Sequence, residues 1–309
     1  MNILGLTAFS HESSACLLQD GKIIAFIEEE RLNRQRHTAK FPSQAIRQVL
    51  RIGKLKPKAV DKITFFWNPY RELTHNFSHL IKFFPDSLNL LFGPSGSYDH
   101  GALKRIWSVL HLRNYLKKIS PILAQKPIFY SEHHLNHAAS AFFVSPFDQA
   151  AILSLDGRGE ATTTLLAQGQ GSTITKLAEF PIPHSLGLLY SAVTDWLGFT
   201  AFADEGKIMG LSAYGDTSLV PKIKKLLKLK PHGRIELNMD YFSFHTHGRS
   251  CWVSPRFIKV FGLHRQPDAP ITAHHQNIAK ALQIVLETGG LHIVRYLYRL
   301  TGSPNLCLA

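Results

Sequence analysis

Residues 2–29 read NILGLTAFSHESSACLLQDGKIIAFIEE, and this stretch decides the fold. Asn2 to Thr7 is a short apolar run, followed by a polar turn holding Ser10, His11, Glu12 and Ser13. Ser14 to Gln19 is a second apolar run, and Asp20-Gly21 is a strong hairpin signal. Lys22 to Glu29 is a third run, rich in Ile and Phe. Three strands joined by tight turns are therefore expected, with Pro42 and a helical pattern over Ser43 to Ile52 after them. Ser43 is the expected N-cap.

The same order returns after Gln149. Ala150 to Leu155 reads as a buried strand ending in Asp156-Gly157. Two more strand-like runs, Ala161 to Gln168 and Ile174 to Phe180, precede a helix over Ser185 to Leu197. Between the two halves lie an apolar run from Lys62 to Trp67, an irregular aromatic stretch over 70–100, and a helical stretch over Ala102 to Lys118. A strand over Pro127 to Tyr130 and a helix over His134 to Phe143 follow. A β-β-β-α order in each half predicts an α/β protein of two similar lobes, 1–148 and 149–309, facing across a ligand-binding cleft. A last helix over Ala269 to Leu300 leads to Pro304–Ala309, which reads as the first half of a buried strand.

Composition narrows the class. The 309 residues are 45% apolar and 18% charged, a globular balance that excludes wholesale disorder. No apolar run reaches the roughly 18 residues that span a bilayer, and the first residues lack a basic signal-peptide region. Lys+Arg exceeds Asp+Glu by 35 − 22 = 13. That balance favours anionic partners, but no nucleic-acid motif accompanies it, so nucleic acid is not the expected partner. The densest basic run, Lys222 to Lys230, reads as the solvated face of a short amphipathic helix. Cys16, Cys251 and Cys307 form no CxxC pair, which fits reduced core residues and a cytoplasmic home.

Four clusters carry candidate chemistry. In Ser131-Glu-His-His-Leu-Asn-His137, His133 and His137 are four apart, so a helix places both imidazoles on one face, within reach of one metal. Asp156, at the end of the next strand, completes a two-His, one-carboxylate set suited to iron(II) or zinc. A metalloprotease needs Glu directly after the first His, and His134 stands there instead. The competing reading is a pair of packed or surface histidines. His11, in the first inter-strand turn, is a candidate general base, against a turn histidine bonded to backbone. Asp204-Glu-Gly-Lys-Ile-Met-Gly210 brackets a lysine with two glycines and permits close approach to a phosphate, against a plain structural turn. His245 and His247 read as an exposed hairpin, Glu28–Arg31 as a salt-bridged strand end, and His274-His275 as residues near a helix start.

At these residues the chain resembles the NodU/CmcH-type O-carbamoyltransferases. The matching blocks lie at residues 5–37, 41–46 (FPSQAI), 132–147 (EHHLNHAASAFFVSPF), 153–160 (LSLDGRGE), 185–199 and 205–215 (EGKIMGLSAYG). Two departures are mild: Glu12 stands where the family has Asp, and Ser212-Ala213 where it has Ala-Pro.

The resemblance implies an actin-like, RNase H-like fold of the threonylcarbamoyl-transferase type, with the second lobe incomplete. It implies carbamoyl adenylate, made from carbamoyl phosphate and ATP in a YrdC-like domain, as donor. The hydroxyl of a sugar or secondary metabolite would be the acceptor. By the same resemblance His133, His137 and Asp156 hold Fe(II) or zinc, His11 activates the acceptor, and Glu205, Gly206, Lys207 and Gly210 contact nucleotide. The family continues beyond Asn305-Leu-Cys-Leu-Ala309 into a Gly-Gly turn and the adenylate-forming domain. The expectation is thus an N-terminal domain whose other half comes from elsewhere, with a separate chain as one source. Two alternatives are a non-catalytic nucleotide- or metal-binding remnant and an actin-like small-molecule kinase.

Overall fold

The computed structural model describes residues 1–10, 12–92 and 102–309. His11, a candidate from the sequence, lies outside the described residues. The chain divides into two compact units: Met1–His79 with Ser95–Asn136, and Leu80–Pro94 with His137–Ala309.

The first unit is built on a five-stranded mixed sheet. Strands β1 (Asn2–Thr7), β2 (Ser14–Gln19) and β3 (Lys22–Glu28) form an antiparallel meander. Strands β4 (Lys62–Phe65) and β5 (Ile128–Tyr130) add in parallel on the other side of β1, giving the order β3-β2-β1-β4-β5. Asp20 and Gly21 take φ of 49° and 81°, the two positive values that a tight hairpin turn needs to match strand twist. Alternation in β1 sends Leu4 and Leu6 into a core with Leu17, Ile46, Val49, Ile63 and Phe65. The helix Ser43–Ile52 covers the meander.

Its N-terminus corrects the sequence reading. Ser43 is the first helical residue, and Pro42 precedes it without a side-chain cap. The buried carboxylate of Glu29 instead accepts from the backbone N–H groups of Gln44 (3.2 Å) and Ala45 (2.8 Å). An anion there satisfies two orphan donors and the positive end of the helix dipole. The Glu28–Arg31 pair (3.2 Å) is a salt bridge, as expected.

The second unit repeats the plan. Strands β6 (Gln149–Leu155), β7 (Thr162–Gln170) and β8 (Thr173–Pro181) form an antiparallel meander. A two-stranded ribbon, β9 (Leu227–Leu229) and β10 (Ile235–Leu237), stands apart from it. Strand β11 (Leu306–Leu308) lies parallel to β6, pairing Cys307 with Ile152, in the order β11-β6-β7-β8. Residues 150–154 of β6 are buried on both faces, as a continuous apolar run dictates. The helix Leu186–Trp196 is buried almost throughout, and it packs with the long helix Ala273–Thr301 around Leu153, Leu189, Trp196, Leu282 and Val285. In each unit an antiparallel meander is followed by a strand parallel to its first member. This is the α/β plan with two similar halves that the sequence implied.

Local expectations change in five further places. The stretch over 70–100, read as irregular, opens in a helix, Pro69–Lys82. The stretch 102–118 is two helices, Ala102–Leu110 and Leu112–Lys117, broken at His111. The basic run 222–230 is no single helix: buried Ile223, Leu226 and Leu227 pull it into a helical turn, a 3₁₀ turn and β9. His245 and His247 lie in the helical turn Phe244–His247, anchored by buried Phe244 and Thr246, not in a hairpin. The long helix starts at Ala273, where the Thr272 and His275 side chains form a reciprocal cap.

Candidate metal centre

The helix His133–Phe142 presents both histidines one turn apart. Its start is fixed by polar side chains. Asn136 Nδ2 donates to the carbonyls of Phe66 (3.0 Å) and Glu132 (2.8 Å), and its Oδ1 accepts from Ser131 Oγ (2.9 Å). Arg71 pairs with Glu132 beside it. The His133 ring packs against Trp67 and Phe66, with centroids at 5.1 and 5.7 Å, so its orientation is set by aromatic walls.

Asp156 follows β6 directly and is anchored at every backbone polar group. Its N–H donates to the Thr163 carbonyl (3.0 Å) and its carbonyl accepts from Ser185 Oγ (2.9 Å). Its Oδ1 accepts from Gly157 N (2.6 Å). Ser185 Oγ also accepts from Leu188 N (3.0 Å), so one hydroxyl caps the helix Leu186–Trp196 and holds the Asp156 carbonyl. Gly187 lets that helix approach closely. A Cβ at residue 187 would lie 2.8 Å from Gly157 N and 3.0 Å from the Asp156 carbonyl carbon.

His137 Nε2 then stands 3.7 Å from Asp156 Oδ2. One ligand atom each from His133, His137 and Asp156 lie within 4.8 Å of one another, and all three residues are partly exposed. Two imidazole nitrogens and one carboxylate oxygen at this spacing suit a divalent transition metal with open positions. The donor set fits the iron(II) or zinc that the sequence suggested.

The 204–210 segment differs from its reading as a turn. It enters a helix, Glu205–Leu211, because Asp204, Glu205 and Ile208 find partners that offset the two glycines. Glu205 Oε1 accepts from Ser191 Oγ and Phe202 N, both at 2.6 Å. Lys207 Nζ lies 2.8 Å from Asp204 Oδ1, and that bond, with one from the Thr200 backbone, holds the Asp204 carboxyl below its ordinary value. Gly206, Lys207 and Gly210 are exposed. Nearby, burial first and then the Glu205 and Glu287 charges push the Tyr190 hydroxyl up to about 12.

Some contributors were not visible in the sequence. Around the His11 turn, Glu12 Oε1 lies 3.3 Å from His37 Nδ1, and Phe9 N donates to the Ala39 carbonyl (3.0 Å). Phe9 and His37 both adopt positive φ, 66° and 53°. Ser185 and Gly187 belong to a block the sequence singled out, but their hold on Asp156 depends on the helix crossing the loop.

Fold and donor set together define an α/β protein with a three-ligand candidate metal centre. The chain belongs to the carbamoyltransferase N-terminus family, whose model matches residues 2–309. The uncharacterized protein sll1178 of Synechocystis sp. is 40% identical over 318 residues, covering 100% of this chain and 50% of that protein. Nodulation protein NolNO of Sinorhizobium fredii is 31% identical over 302 residues, covering 97% and 40%. The chain thus spans half or less of these relatives' lengths. Among solved structures, HypF of T. kodakarensis aligns over 100% of this chain and 41% of its own, with TM-score 0.41 and 12% identity. No helix among the described residues is long and apolar enough to cross a membrane.

Proposed function

We propose that this chain carries the transfer site of an O-carbamoyltransferase acting on a hydroxyl of a sugar or natural product. The donor in this reading is carbamoyl adenylate, formed from carbamoyl phosphate and ATP by a domain or separate chain outside residues 1–309. The acceptor oxygen forms a bond to the carbamoyl carbon, the bond from that carbon to the adenylate phosphate oxygen breaks, and AMP leaves. A hydroxyl is a weak nucleophile, so its proton must be taken as attack proceeds; His11 is the assigned base. His133, His137 and Asp156 would hold Fe(II) or zinc, which when bound supplies Lewis-acid charge. The chain's own part there is orientation: Gly157 N and Ser185 Oγ fix Asp156, and Trp67 and Phe66 fix the His133 ring. Lys207, with Glu205, Gly206 and Gly210, is assigned to the nucleotide side; the lysine must leave Asp204 to reach it. The three thiols are free, which accords with a reducing cytoplasmic setting.

The observation that carries this reading is the convergence of His133, His137 and Asp156. The test is metal titration of the full chain alongside carbamoyl transfer with carbamoyl phosphate, ATP and the separately supplied activating half. Transfer should require bound metal and be lost in His137→Ala. Full transfer by a His133→Ala/His137→Ala variant that binds no metal would overturn the assignment.

A further inference from the structure

A cavity of about 320 Å³ in the first unit lies outside the candidate metal centre. Its lining includes the rings of Phe9, Phe41 and Tyr115 and the cations Lys40, Lys104 and Arg105. The rings form one aromatic wall: Phe9 to Phe41 is 6.0 Å and nearly parallel, Phe9 to Tyr115 is 5.0 Å, and Phe41 to Tyr115 is 5.3 Å. No carboxylate lines the cavity among the described residues. Its deepest cation is held in place. Arg105 pairs with Glu72, which is fully buried and also accepts from Trp67 Nε1 (2.8 Å), and the guanidinium lies 5.0 Å from the Trp67 ring centre. The Arg105 Nε donor is buried and makes no hydrogen bond among the described residues. Phe9 is held at φ 66° by its bond to the Ala39 carbonyl, so the wall is maintained against a backbone preference.

Clustered aromatic rings and cations in the lining of one cavity recognise a flat ring and an anion together. We infer that this cavity binds a small aromatic-ring compound bearing a phosphate or carboxylate, the ring on Phe9, Phe41 and Tyr115 and the anion toward Lys40, Lys104 and Arg105. The inference concerns binding alone and does not rest on the transfer reading.

The test is calorimetric titration of the full chain with phenyl phosphate, inorganic phosphate and benzyl alcohol. Phenyl phosphate should saturate one site about tenfold more tightly than either half-probe. Lys40→Glu and Lys104→Glu alter exposed side chains and should each weaken it about fivefold or more, while Lys58→Glu, an exposed lysine outside the cavity, should leave it unchanged. Benzoate binding with the same sensitivity to Lys104→Glu equally upholds the site. Absence of saturable binding, or equal losses from Lys58→Glu and Lys104→Glu, would overturn it.

Discussion

The first strand of each meander leads into a loop bearing a candidate functional residue: His11 after β1 and Asp156 after β6. The described bonds at the two loops differ in kind. Asp156 follows a strand buried on both faces, and its N–H, carbonyl and carboxylate are each bonded within the fold. The described part of the β1 turn is tied by the Phe9–Ala39 and Glu29–Ser13 backbone bonds and by the Glu12–His37 pair, whose side chains are 49% and 29% exposed. A ligand atom tolerates little displacement, and bonds at all three polar groups of Asp156 suit the ligand role proposed for it.

The largest effect should come from the proposed ligand. Asp156→Ala should lower metal affinity by more than the roughly 10–100-fold typical of outer-shell changes, read by competitive chelator titration. Gly187→Ala should come next, because the new methyl meets backbone at 2.8 Å. We expect a loss of about 1–3 kcal/mol by urea unfolding together with weaker metal binding. If metal affinity survives, the helix does not set the position of Asp156.

Ser185→Ala should cost about 0.5–2 kcal/mol as a lost helix cap, with a roughly tenfold fall in metal affinity. On the other loop, Glu12→Gln should cost no more than about 1 kcal/mol and leave metal binding unchanged, since the pair is solvent-screened. Equal costs for the two changes would erase the contrast between the loops. The smallest effect is on pH dependence. Asp204 has a depressed folded pKa, so its contribution is complete above the unfolded value of about 3.9 and is lost as pH falls through the folded one. Asp204→Asn should flatten the acid limb of the stability profile.

Much of this was legible in the sequence because it rests on local rules. The three-strand opening follows from apolar runs and Asp20-Gly21, and the shared face of His133 and His137 follows from helical spacing. Asp156 was placed by the strand it ends. What stayed hidden depends on contacts distant in sequence. Glu29 caps a helix 15 residues on, so it read as part of a salt-bridged strand end. Gly206 and Gly210 read as turn formers because the bonds to Glu205 from Ser191 and Phe202 leave no local pattern. Lys222–Lys230 read as one amphipathic face, although its apolar residues are buried in separate short elements.

The double bond of Ser185 has a thermodynamic corollary. One oxygen caps the helix Leu186–Trp196 and grips the Asp156 carbonyl. To the extent that the formed first turn of that helix favours metal binding at Asp156, metal binding favours that turn by the same coupling free energy. Metal binding should therefore slow amide hydrogen exchange at Leu188 and Leu189, whose N–H groups bond to Ser185, with no direct contact to the ion.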